Sequence, residues 1–321
     1  MKKNVAIVAG GDQSEVEVSL RSAAGLYSFI GNERYNLYIV TIIGKEWKVD
    51  CDGKRIDIDK NDFTFLKDGK KTAFDYAYIT IHGIPGEDGR LQGYFDLIGM
   101  PYSCCGVLAA ALTYNKFFCN HYLKSFGVNI AESLMLKKGD HASADEMVAK
   151  LGLPCFVKPN IGGSSFGVTK VKTKDQLLPA IEKAFKEGDQ VIAESFMQGT
   201  EITCGVYKTS KGATVFPVTE VVSANEFFDY DAKYKGQVQE ITPARLSETV
   251  TAKVQKLTSE IYDIIGAKGI IRIDYIITDG DKVNLLEINT TPGMTATSFI
   301  PQQVKAAGLD IREVLEDIIE N

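Results

Sequence analysis

The hydrophobic pattern of this 321-residue chain changes period several times, and each change marks an element. NVAIVAGG, residues 4–11, is an unbroken apolar run ending in glycines, which predicts a buried strand and a tight turn. Ser14-Glu15-Val16-Glu17 reads as a capping box that opens a helix to about Phe29. Strands are expected near residues 37–43 and 77–81, a helix over 91–98 closed by Gly99, and a short strand at 101–103. Strand, glycine turn and helix in this order predict a doubly wound α/β domain, residues 1–104.

Residues 105–193 read differently. A helix over 114–126 stops at Gly127, and another runs from the Ser143-x-x-Glu146 box to Leu151, stopped by Gly152 and Pro154. Strands at 155–158 and 168–171 flank the loop NIGGSSFG, a helix covers 173–186, and a strand at 190–194 leads out. Together these predict a small central α+β domain. A second α+β domain, 194–321, is expected to carry strands at 202–207 and 214–221. An aperiodic aromatic and charged stretch, 223–240, follows and reads as a long lid loop. Val250, Val254, Leu257, Ile261 and Ile264 then repeat at helical spacing.

The last clear pattern is a hairpin. Apolar runs at 270–277 and 283–288 flank Asp279-Gly280, a strong turn signal. Arg272, Asp274, Glu287 and Asn289 interrupt those runs. A two-residue turn at 279/280 or 280/281 puts all four on one face, with Asp274 opposite or diagonal to Glu287. A three-residue loop would separate them. Two adjacent carboxylates repel, and an uncompensated pair costs on the order of a kcal/mol or more. Two readings are compatible with this: a solvated sheet face with Arg272 paired to Asp274, or a site for a hard divalent cation, which suits Asp, Glu and Asn oxygens.

Bulk properties narrow the classes. Hydrophobic residues at 45% and charged residues at 24% describe an ordinary globular protein. A net charge of −6 argues against binding a nucleic-acid backbone. No segment approaches the ~20 apolar residues of a membrane span. The opening MKKNVAIVAGG is too short and glycine-terminated for a signal peptide, so a cytoplasmic location without membrane association is expected. Cys51, Cys104, Cys105, Cys119, Cys155 and Cys204 lie mostly in apolar runs without C-x-x-C spacing, and read as reduced core residues. His82, His121 and His141 are too scattered for a zinc site.

The loop GGSSFG, residues 162–167, offers a second candidate site. Gly162, Gly163 and Gly167 let backbone amides approach a ligand, Ser164 and Ser165 add hydroxyls, and Lys158 adds charge at the end of the preceding strand. The composition suits a phosphate cradle, although a plain hairpin loop has it too. It matches neither the P-loop nor the dinucleotide-binding glycine pattern.

Several stretches carry a resemblance in order. K158-P-N-I-G-G-S-S-F-G, E194-S-F-M-Q-G-T-E201, D229-Y-D-A-K-Y234, R272-I-D274 and L-L-E287-I-N289-T-T-P-G-M resemble the ATP-grasp ligases. With G10-G-D-Q-S-E15-V-E-V-S and H82-G-I-P-G-E-D-G-R-L-Q-G, they resemble specifically the D-alanine:D-alanine ligases, from about residue 5 to 308. The resemblance implies an ATP-grasp architecture and a homodimer. The implied reaction phosphorylates one D-alanine carboxylate with ATP; the amine of a second D-alanine then attacks the acyl phosphate.

The same resemblance assigns roles. Asp274, Glu287 and Asn289 match ligands of two Mg²⁺ ions, for which Mn²⁺ can substitute. Arg272 and the N–H of Gly293 match groups that stabilise charge on the transferring phosphoryl group and the tetrahedral intermediate. Lys116 and Lys158 match the lysines on the ATP phosphates, with Gly163, Ser164 and Ser165 in the cradle and Lys233 reaching from the lid. Glu194 and Glu201 match acceptors for adenine and ribose, while Phe196 and Met197 fit the adenine slot. Glu15 matches the residue on the ammonium of the first D-alanine, linked through Ser164 to Tyr234. His82 and Glu87 flank that substrate, and Ser298 matches a contact to the second substrate's carboxylate. Tyr234 favours an amine over the hydroxyl of D-lactate. Ser195 stands where many relatives carry Lys, and Thr297 replaces a His found in some of them. The alternatives are a D-alanine:D-lactate or D-alanine:D-serine ligase and, more remotely, a nucleotide sensor without turnover.

Overall fold

The computed structural model describes residues 2–12, 15–141, 143–163, 166–223 and 238–321. Ser14, Ser164, Ser165, Lys233, Tyr234 and most of the expected lid lie outside these residues.

The N-terminal sheet begins with Lys3–Gly10, whose apolar run is buried throughout its last six residues. This strand pairs in parallel with Tyr35–Ile43 on one side and Tyr76–Ile79 on the other. The helix Val16–Ile30 connects the first two strands, as the opening period predicts. Glu46–Cys51 and Lys54–Asp57 extend the sheet antiparallel, and Thr64–Lys67 pairs separately with Lys70–Ala73. Hydrophobic clusters cover both faces of this sheet. One includes Val304, Val314, Leu315 and Ile318 from the helices Phe299–Ala306 and Ile311–Glu320, so the chain's last helices close the core of its first domain. Gly25 allows close packing there: a Cβ on it would lie 2.1 Å from the Met294 carbonyl oxygen.

The central four-stranded antiparallel sheet consists of Ser133–Lys137, Gln190–Ser195, Cys155–Pro159 and Thr169–Val171. Its apolar face packs against Ala144–Leu151 and Leu177–Ala184. Ser143 caps the first of these helices by accepting from the Glu146 N–H, as its box predicts. The helix expected over 114–126 forms as Lys116–Lys124, and an unforeseen helix, Val107–Tyr114, precedes it; Asn115 between them is extended and caps the second by accepting from the Phe118 N–H. Ala109, Ala110, Cys119 and Leu123 pack into the core of the large C-terminal sheet rather than the central one.

That large sheet contains Thr200–Thr209, Thr219–Ser223, Val238–Ile241, Ile271–Thr278 and Lys282–Asn289, with Gly212–Val215 and Asn129–Ile130 attached. The single strand expected over 214–221 is thus two. Glu248–Ile264 covers one face with its predicted apolar stripe. All six cysteines are buried and free. No helix among the described residues is long and apolar enough to cross a membrane.

The hairpin corrects the sequence reading in an informative way. Thr278 pairs with Lys282, so the loop has three residues, Asp279, Gly280 and Asp281. Continued regularly, that register would set Asp274 against Leu286. Instead Tyr275 pairs with Leu285 while Asp274 pairs with Glu287, so Leu286 is a β-bulge that advances the register by one. Arg272 pairs with Asn289 beyond it. The four polar residues therefore share a face because the bulge compensates for the loop.

Candidate active site

Every described residue to which the resemblance assigns a role lines a single cleft of about 930 Å³, whereas Gly167 of the glycine loop does not. The central sheet supplies Lys158 and Glu194, with the glycine loop at its end. The large sheet supplies Glu201, Arg272, Asp274, Glu287 and Asn289. The start of Val16–Ile30 brings Glu15, the segment after Ile79 brings His82 and Glu87, and the turn before Phe299–Ala306 brings Gly293 and Ser298.

Asp274 accepts four hydrogen bonds. Its Oδ1 accepts from Arg272 Nε at 2.9 Å and Thr203 Oγ1 at 2.5 Å. Its Oδ2 accepts from Arg272 Nη2 at 2.8 Å and Asn289 Nδ2 at 3.0 Å. Both partners of the ion pair are largely buried, with side chains 16% and 12% exposed. Burial alone would lower the Arg272 guanidinium, but Asp274 and then Glu287 hold it above its ordinary value. The guanidinium also lies over the Phe299 ring, 5.1 Å from its centroid. Opposite, Glu287 Oε2 lies 3.5 Å from Lys116 Nζ, which donates to the Gly162 carbonyl at 2.6 Å. Two facing carboxylates are thus offset by two cations, one of them anchored to the glycine loop.

Lys158 and Glu194 pair with each other at 2.6 Å, where the resemblance assigned one to phosphate and the other to adenine. Burial would pull the Lys158 ammonium down, but Glu194 and Glu287 outweigh it and keep it above its usual value. Phe156 and Phe196, with centroids 5.9 Å apart, form an apolar wall beside Met197, and Lys170 Nζ sits 4.3 Å above the Phe196 ring. Ser195 spends its hydroxyl on the Glu132 N–H.

At the other end, Gly163 touches the N-terminal helix: a Cβ on it would lie 2.7 Å from Glu15 Oε2. Ser22 Oγ lies 3.4 Å from His82 Nε2 and accepts from the Met294 N–H at 3.2 Å, tying the histidine to the turn after Gly293. Burial holds His82 below its usual value, with Glu15 opposing. Glu87 accepts from the Gly83 N–H at 2.8 Å, and burial, reinforced by Glu15, pushes its carboxyl up to about 7. Because the folded chain keeps this proton where the unfolded chain has lost it, Glu87 contributes stability below about pH 4.3. That contribution disappears as pH rises through about 7. Glu87→Gln should therefore gain thermal stability relative to the natural chain between pH 5 and pH 8; parallel melting curves at the two pH values check this.

Thr203 and Phe299 escaped the sequence reading. Thr203 was accessible in principle, since it alternates with Glu201 on a strand whose register sets it against Asp274. Phe299 carries no polar signal and becomes visible only under Arg272.

A glycine loop on one sheet, facing a carboxylate and guanidinium row on another across an apolar slot, defines a nucleotide-dependent enzyme of the ATP-grasp class. The family models described as D-ala D-ala ligase N-terminus and C-terminus match residues 4–105 and 122–320, and the chain belongs to this family. It is 68% identical to the D-alanine–D-alanine ligase of Bacteroides fragilis over 322 residues, covering 100% of this chain and 99% of that protein. The corresponding ligase of Porphyromonas gingivalis strain W83 is 53% identical, covering 100% and 98%. Among solved structures, the VanG D-Ala:D-Ser ligase from Enterococcus faecalis superposes with a TM-score of 0.88 at 30% identity, covering 100% and 99%. The D-alanine–D-alanine ligase from Bacillus anthracis complexed with ATP gives 0.78 at 28%, covering 99% and 96%.

Proposed function

We propose that this chain is an ATP-dependent ligase that joins two D-alanine molecules to D-alanyl-D-alanine for peptidoglycan synthesis, through a D-alanyl phosphate. The observation that carries the reading is the convergence of the candidate residues on one cleft, together with whole-length similarity to ligases bearing that activity in their names. A free carboxylate is a poor electrophile, and phosphorylation gives it a leaving group. The protein's tasks are then to position, to neutralise charge and to exclude water.

Lys116 and Lys158 take the phosphates over the glycine loop, with Ser164, Ser165 and Lys233 completing the grip. Glu194 and Glu201 accept from adenine and ribose beside Phe196 and Met197. Lys158 and Glu194 satisfy each other's buried charges, and ATP would draw on the donor of one and the acceptor of the other. Glu15 receives the ammonium of the first D-alanine near His82 and Glu87, Ser298 receives the second carboxylate, and Arg272 with the Gly293 N–H faces the reacting centre. Tyr234 belongs to the lid that closes over them.

The donor set fits magnesium. Asp274 and Glu287 face each other in register with Asn289 alongside, all hard oxygen donors, and the two carboxylates carry the charge a dication would balance. These three residues would hold two Mg²⁺, or Mn²⁺ in its place. When bound, the ions neutralise charge on the transferring phosphoryl oxygens.

The division at 1–104, 105–193 and 194–321, with ATP between the last two parts and the lid over 223–240, completes the reading. A cytoplasmic homodimer is its working form; exposed Leu97 and Leu108, on helices packed against each other, support such pairing. The deciding assay measures phosphate release with ATP, Mg²⁺ and D-alanine, repeated with L-alanine and with D-lactate or D-serine as second substrate. Release with D-alanine alone, unchanged in product when D-lactate or D-serine is added, is expected. Preferential formation of a mixed product would assign the neighbouring specificity, and no release would end the reading.

A further inference from the structure

The bulge at Leu286 sets Glu287 opposite Asp274, and a side chain outside the cleft holds it. Asn120, 4% exposed in the helix Lys116–Lys124, donates its Nδ2 to the Leu286 carbonyl at 3.3 Å. Its Oδ1 has no hydrogen-bond partner among the described residues. That bond to the bulge is therefore what this buried amide contributes, and the extra residue of a bulge is the one the ladder leaves unpaired. Asn120 lies one helical turn after Lys116, on the same helix face. Lys116 reaches the Glu287 carboxylate at 3.5 Å. One helix thus grips two successive residues of the strand, Leu286 by its backbone and Glu287 by its side chain.

We infer that Asn120 is a positioning residue: by pinning the Leu286 bulge it fixes the register in which Glu287 faces Asp274, and thereby sets affinity for the divalent cation. This rests on Asp274, Glu287 and Asn289 being the cation's ligands. The register needs such a lock because the three-residue loop favours a different one. From Thr278 to Tyr275 the pairing is regular, and its continuation would oppose Asp274 with Leu286. Glu287 would then move against Ile273, a fully buried core residue. A hydrophobic side chain at 120 would remove this donor from the bulge carbonyl, and the bulge would be free to migrate along the strand.

Mn²⁺ titrated into the full chain with ADP, followed by the electron paramagnetic resonance signal of free Mn²⁺, reads the effect directly. Asn120→Leu is expected to weaken Mn²⁺ binding about tenfold or more, the range for groups that orient metal ligands, while the KM for D-alanine changes little. Asn120→Ser, whose hydroxyl is too short to reach Leu286, should show the same loss and covers the case in which Asn120→Leu does not fold. Deleting Leu286 in the Asn120→Ser background joins the pairings on either side of the bulge into one continuous register, with Asp274 still facing Glu287. Mn²⁺ affinity should return. A merely structural Asn120 predicts lower melting temperatures with unchanged Mn²⁺ affinity, or no rescue by the deletion, and either result overturns the inference. Failure of the natural chain to bind Mn²⁺ with ADP would overturn the metal reading itself; normal binding in the natural chain and the Asn120 variants alike would overturn the positioning role alone.

Discussion

Glu287→Gln is expected to lower D-alanine-dependent phosphate release at least a hundredfold while the protein still folds with a melting temperature close to that of the natural chain. The two halves of this expectation come from different parts of the structure. Glu287 stands directly across from Asp274, and its carboxylate faces both Lys116 and the cleft. In the proposed reading Glu287 would help hold the divalent cations, and loss of one preorganised electrostatic group typically costs about 10²–10³ in rate. Stability depends on it much less. Its side chain is 26% exposed and its contact to Lys116 is a long 3.5 Å, so the pair contributes on the order of 1 kcal/mol or less. Lys116 also keeps the Gly162 carbonyl. Phosphate release and a melting curve on the same preparation separate the two effects; full turnover in the variant would remove Glu287 from the metal site.

Much of the architecture was legible because local pattern and tertiary environment agree. The buried first strand, the helix after it, the Ser143 cap and the stripe on Glu248–Ile264 all form where their periods predict. The hairpins Glu46–Cys51 with Lys54–Asp57 and Thr64–Lys67 with Lys70–Ala73 were equally legible and went unread. Asp52-Gly53 and Asp68-Gly69 are the same signal as Asp279-Gly280, and both Asp residues adopt the left-handed conformation it requires, at φ 50° and 49°. The final helix carries apolar residues at Val314, Leu315, Ile318 and Ile319, again a readable helical period.

Other features were not available from local pattern. Alternation placed Arg272, Asp274, Glu287 and Asn289 on one face, but nothing in Leu285-Leu286 marks which leucine slips out of register. The correct face emerged from two compensating departures. The Lys158–Glu194 pair depends on two strands far apart in sequence lying side by side. The sharing of one core by the first strands and the last helices likewise appears only when residues roughly 300 apart meet.

Arg272→Met is expected to act on both stability and chemistry, and divalent cations should repair only the first. The guanidinium supplies two of the four hydrogen bonds on Asp274, and removing it leaves a buried carboxylate with Thr203 and Asn289 alone. Breaking one side of a buried pair costs about 3 kcal/mol or more, whereas the apolar contact over Phe299 survives in methionine. In metal-free buffer the variant should therefore melt several degrees below the natural chain. Mg²⁺ restores the missing positive charge beside Asp274, so its addition should raise the variant's melting temperature more than that of the natural chain, where Arg272 competes for the same oxygens. Turnover should stay about 10²–10³ below normal even at saturating Mg²⁺, because a cation on Asp274 does not replace the guanidinium in the role proposed for it beside the transferring phosphoryl group. Melting curves with and without Mg²⁺, set beside phosphate release, test this directly. An equal Mg²⁺ shift in both proteins would mean that Arg272 and the cation do not share Asp274.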